Sequence, residues 1–225
     1  MTTDLVTVKK LVLKDWDLHQ KIIAGYIGLG ILGLAILGYP HVWAFYMGCV
    51  ILMTVMISAG FHAINVTIIG EKKEQTTPFI MSLPVRPFEY ALAKIVANLV
   101  IFLVPWTAIV VGIVFLTLTT HIPDGILQFF LVMCVLLVMN YSLVLTITLV
   151  SESEGWSIFF MVIVNIAVNP FIMLTLRNPE FNQHMESDTF YWSDDATVMM
   201  SVMLVATVLF IVAGALRQSR RQTFI

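Results

Sequence analysis

Charge is what this sequence has least of. Of its 225 residues, 12% are Asp, Glu, Lys or Arg and 59% are hydrophobic, whereas a water-soluble domain carries about 25% charged residues. No polar stretch is long enough to bury a core of its own, so no soluble domain is appended. Cysteine is nearly absent too. Cys49 and Cys134 both fall inside apolar runs, where a small buried side chain is expected rather than a structural disulfide, and they identify no compartment. There is no GxxxxGK[ST] sequence, so the usual phosphate cradle for ATP is lacking, and the energy for any work has to come from a partner or a gradient. No Ser, His and Asp arrangement has motif support, and no catalytic residue is assigned. The short alternating segments of a β-barrel are missing as well. The first 21 residues are too charged, and the apolar run after them too long, for a cleaved signal peptide.

What the chain has instead is long apolar runs. A helix needs about 20 mostly apolar residues to cross a hydrocarbon core, and six runs qualify: Ile22–Tyr39, Val42–Gly70, Ile95–Thr119, Ile126–Val150, Trp156–Leu176 and Ala196–Leu216. Backbone groups in lipid are satisfied only within such a segment, so the fold class is an all-α membrane protein of six spans forming one transmembrane domain. The basic residues then set orientation. Lys9, Lys10, Lys14 and Lys21 precede the first span, Lys72, Lys73, Arg86 and Lys94 lie between the second and third, and Arg217, Arg220 and Arg221 follow the sixth. With six spans these fall on one side and Arg177 alone on the other, which predicts both termini in the cytoplasm.

Leu5, Val8, Val12 and Trp16 stand at helical spacing, the pattern of a helix lying in the membrane interface over residues 1–21. Span two is longer than a straight crossing needs, so it tilts or continues into the cytoplasm. Pro105 is expected to kink span three. Pro170 is expected to leave the end of span five broken or re-entrant.

Several literal motifs carry no chemistry. Gly28, Gly30 and Gly33 spell GxGxxG, but inside an apolar span, where small residues serve close helix packing rather than a dinucleotide. His184, Glu186 and Asp188 lack supporting spacing and read as a solvated acidic loop, so no metal is assigned. Asp194 and Asp195 are expected to cap span six. Phe181, Phe190, Tyr191 and Trp192 fit aromatic anchoring at the outer interface or, alternatively, part of an external gate.

The segment from 71 to 94, EKKEQTTPFIMSLPVRPFEYALAK, is the one long, charged, amphipathic stretch between apolar runs. A mixed-charge cluster, Glu71, Lys72, Lys73 and Glu74, leads to an apolar patch at Phe79, Ile80, Met81 and Leu83, and Pro84 and Pro87 then interrupt it. A short helix parallel to the membrane with an apolar face and a charged rim suits a cleft on another protein. The alternative is a connector resting on lipid.

The run E-K-K-E-Q-T, then F-I-M-S-L-P-V-R-P-F-E, then A-K resembles the loop between spans two and three of ABC-2 type transporter permeases. The matching positions are Glu71, Glu74, Thr76, Ser82, Leu83, Pro84, Val85, Glu89 and Lys94, while Gln75 stands where the family often has Gly. The match spans about a tenth of the chain. The resemblance implies the permease subunit of an ATP-driven exporter in the bacterial inner membrane, whose coupling helix seats on a separate ATP-binding subunit through Glu71, Lys72, Lys73, Glu74, Thr76, Phe79, Ser82, Leu83, Pro84, Val85, Arg86 and Glu89. ATP and Mg would then reside on that partner and no cofactor on this chain. A second permease, identical or paralogous, would complete the pore, and the remaining contact is membrane lipid, with no nucleic acid. The 151–155 loop would be a second, smaller contact, although Ser151 and Glu154 also fit a capping box.

Polar residues at membrane depth are expensive and face protein or water. Ser58, His62 and Asn65 share one face of span two, and Asn165 and Asn169 one face of span five. By the resemblance they line the path between subunits. Hydrogen bonding between helices of one subunit explains them equally. Asn140 and Thr146 read as packing partners. Two other classes stay open: an intramembrane enzyme, and a channel or scaffold that works without nucleotide.

Overall fold

The computed structural model describes residues 5–73, 87–151 and 153–219. Among these there is no strand, and six helices are long and apolar enough to cross a membrane: Val6–Leu37, Val42–Gly70, Glu89–Thr119, Asp124–Ser151, Glu154–Arg177 and Asp194–Gln218. The chain is a multi-pass helical membrane protein. Its long helices are α1 (Leu5–Leu37), α2 (Val42–Ile64), α3 (Pro87–Thr119), α4 (Leu127–Ser151), α5 (Glu154–Arg177) and α6 (Asp194–Ser219). Beyond Ile64, α2 continues through a π-helical turn, Asn65–Gly70, into Glu71–Lys73.

The apolar residues of α4 run right round the helix, and the bundle closes round it accordingly. Its buried residues run from Leu127 to Leu149 without a free face, and they supply much of the main core. On one flank α6 lies along α4, where Thr146 donates to the Phe210 carbonyl at 2.8 Å. On the other, α1, α2 and α3 pack on one another through glycines. A Cβ on Gly48 would stand 2.7 Å from the Leu37 backbone, one on Gly33 2.9 Å from Leu52, and one on Gly30 2.8 Å from Ile109. Two of the three glycines of the GxGxxG run therefore serve helix packing, while Gly28 faces open space. Outward, Val198, Val202, Val205, Leu209, Val212 and Leu216 of α6 are exposed at intervals of three and four residues, a stripe that only lipid or another apolar surface can cover.

Several expectations change. The segment expected to lie in the interface is, from Leu5 on, continuous with the first span, and no glycine or proline interrupts it before Gly25. Its buried face is Val8, Asp15, His19 and Ile23, which turns a carboxylate inward. Pro170 sits within a continuous helix, so span five runs to Arg177 unbroken; neighbouring groups can absorb the lost backbone bond in a membrane helix. Ser151 and Glu154 form no capping box. Ser151 ends α4, Ser153 is the residue at the start of α5, and Glu154 reaches Lys73 instead. At α6 the cap is Ser193, whose hydroxyl accepts from the Ala196 N–H at 3.1 Å, while Asp194 and Asp195 occupy the first turn. Phe181 is fully buried in the core rather than anchored at the interface. Phe190 is exposed and Tyr191 stacks on His184 at 3.8 Å between centroids.

Candidate functional site at the base of the loop

Three helices meet where the chain leaves α2 and re-enters at α3. Asp15 of α1, Glu71 at the end of α2 and Lys94 of α3 converge there. Lys94 Nζ lies 2.7 Å from Asp15 Oδ2 and 2.7 Å from Glu71 Oε1. Lys14 adds a second cation, 3.2 Å from Asp15 Oδ1 and 3.1 Å from Glu71 Oε1. The Tyr90 hydroxyl donates to Glu71 Oε2 at 2.8 Å, and its ring lies 5.7 Å from the Lys94 ammonium. Two cations thus meet two carboxylates in one cluster. The Lys94 and Asp15 side chains are 5% and 4% exposed, Glu71 14%, and Lys14, on the rim, 42%.

Charges withdrawn from water are tolerated only when paired and hydrogen-bonded, and this group meets that condition. Burial pushes the Glu71 carboxyl upward, but the Lys94 charge and hydrogen bond, the Tyr90 hydroxyl and Lys14 outweigh it, so the net shift is below the usual glutamate value. Below the cluster, the amide of buried Asn98 donates to the Lys94 carbonyl at 2.9 Å and to the Thr67 hydroxyl at 2.6 Å. His19 Nδ1 donates to the Asp15 carbonyl at 2.7 Å. The π-helical turn stands immediately before Glu71. A widened turn resets the facing of every residue beyond it, and such turns recur at functional sites.

Of the residues expected to meet a partner, the Glu71 side chain is 14% exposed and turned toward Lys94, and Glu89 is 4% exposed. Lys73 is exposed and reaches Glu154 of α5 at 2.6 Å, joining the ends of α2 and α5. Lys72 lies on the same turn, with its side chain outside the described residues. Glu74, Thr76, Phe79, Ser82, Leu83, Pro84, Val85 and Arg86 lie outside the described residues as well.

The polar residues within the spans separate into two groups. His62 faces α1, its ring 5.9 Å from that of Tyr26, and the Tyr26 hydroxyl donates to the Ser58 backbone carbonyl at 3.3 Å. The Asn65 and Asn165 amides donate back to their own helices, at the Phe61 and Met161 carbonyls. Asn165 also lines a narrow crevice between α2 and α5 with Gly60, Phe61, Asn140 and Tyr141, whereas Asn169 is exposed farther along α5. The buried Tyr141 hydroxyl and His62 Nε2 have no hydrogen-bond partner among the described residues.

Asp15 is the functional candidate that sequence reasoning missed. Its signal was a carboxylate within helical reach of buried Val8, His19 and Ile23, and the apolar pattern of Leu5, Val8, Val12 and Trp16 masked it. No protein-family model, curated protein or solved structure matches this chain.

Proposed function

We propose that the chain is the permease subunit of an ABC-2 type exporter, with both termini and the 71–94 loop in the cytoplasm. It would form half of a translocation path with a second copy or a paralogue. A separate subunit would bind ATP and Mg, hydrolyse the nucleotide and drive the loop. The observation that carries this reading is that the two flanks of the loop, Glu71 before it and Lys94 after it, are paired with each other, and that Lys94 is joined by buried charge to Asp15 of α1 while Lys14 of α1 reaches Glu71 from the rim. A slack connector gains nothing from such an arrangement, because desolvating ions is costly. A loop that receives force needs its ends fixed to the helices it moves.

The sequence between these anchors supplies the apolar patch and proline turn suited to a cleft on a partner, and the missing phosphate cradle supplies the need for one. Glu71 acts in this reading as an internal anchor, and docking falls to Lys73 and the apolar residues beyond it. The test is purification of the tagged chain from its native membrane. A co-purifying ATP-binding chain whose hydrolysis depends on this subunit supports the proposal. A chain that works alone without nucleotide, as enzyme or channel, overturns it.

A further inference from the structure

We propose that Asp15 is a positioning residue that makes α1 part of the driven unit, an inference that rests on the coupling reading above. The loop belongs covalently to α2 and α3 only, so a load on it reaches those two helices through the chain itself. Helix α1 has no such link on that side. Its ionic ties there are the buried Asp15 carboxylate on Lys94 of α3 at 2.7 Å and, on the rim, Lys14 on Glu71 at 3.1 Å. Lys94 and Asp15 are 79 residues apart in sequence, and their side chains are 5% and 4% exposed. The pair is therefore poorly screened by salt and short enough to transmit displacement.

At the other end of α1 the glycine contacts Gly48–Leu37, Gly33–Leu52 and Gly30–Ile109 leave no slack. Held at both ends, α1, α2 and α3 shift as one body relative to the α4 flank. Without the Asp15 charge, the basic end of α1 keeps only the rim pair Lys14–Glu71 among these charges and apolar contacts such as Trp16 and Ile23 against Ala63 and Ile101, which can slide; its buried link to α3 is gone.

The test uses the complete complex with its ATP-binding subunit in lipid nanodiscs, following amide hydrogen exchange with and without Mg-ATP and vanadate. In the wild type, nucleotide shifts exchange in residues 6–20 together with residues 87–94. In Asp15→Asn the change at 87–94 persists, and the change at 6–20 falls by about 2- to 30-fold, the range of coupling lost at one contact. Lys94→Arg keeps both changes. The double variant Asp15→Asn/Lys94→Gln removes the opposite charges together, leaves Lys14 with Glu71, and shows the same selective loss if the single variant does not assemble. A wild-type response at 6–20 in the assembled variants overturns the role of Asp15 alone. Failure of any ATP-binding chain to assemble with the wild type overturns the coupling reading and this inference with it, a separately recognised outcome.

Discussion

Lys94 Nζ and Asp15 Oδ2 stand 2.7 Å apart, both nearly removed from solvent. Among the described residues Lys94 joins Asp15 directly to the helix re-entering after the loop, so its substitution has a defined cost. Lys94→Met removes the buried cation that Asp15 and Glu71 share and leaves Asp15 to the half-exposed Lys14. Stranding a buried charge in this way costs about 3–5 kcal/mol. Thermal unfolding in detergent should show a large loss for Lys94→Met and a small one for Lys94→Arg.

Acid should loosen the same cluster. The Glu71 carboxyl titrates below its ordinary value in the folded chain. A depressed carboxylate contributes stability that is fully present above the unfolded value, 4.5, and is lost as pH falls through the folded one. Melting temperature measured from neutral pH downward should therefore drop on the acid side. Glu71→Gln should start lower and show a shallower acid limb; an unchanged limb would remove Glu71 from the account.

Gly48 sets the spacing of α1 and α2 at the opposite end. A methyl there would lie 2.7 Å from Leu37 backbone and side-chain atoms, and backbone cannot rotate away. Gly48→Ala should destabilise by about 1–3 kcal/mol, the usual range for overpacking. Gly28→Ala, with nothing within 4 Å of the new methyl, should be neutral or slightly stabilising by helix propensity. Parallel melts of the two variants check the contrast.

Ser193 holds the start of α6 through the Ala196 N–H. Ser193→Ala should cost about 1 kcal/mol and speed amide exchange in the first turn of α6. Exchange in α4 should not change.

The six spans were legible because lipid imposes length and composition on a crossing helix, and the observed Val42–Gly70 has the bounds that hydropathy alone indicates. The packing role of Gly30 and Gly33 was legible for a related reason, since small residues in an apolar run have few other uses. Asp15 was not. Counting charges for orientation treats every lysine and aspartate near a span as solvated, so the inward turn of Asp15 and Lys94 leaves no trace in that count. The π-helical turn at Asn65–Gly70 is invisible to a period of 3.6 and changes which way Glu71 faces. Ser193 lost the cap to its acidic neighbours because Asp and Ser are comparable caps, and only the path of the entering chain decides between them.

In the proposed function the loop between Glu71 and Lys94 seats on an ATP-binding chain. A photo-crosslinking residue placed at position 79, in native membranes, tests this seating. The expected product is a covalent adduct with an ATP-binding chain that disappears when Leu83 and Pro84 are both replaced. Adducts with lipid or with this chain alone would contradict it.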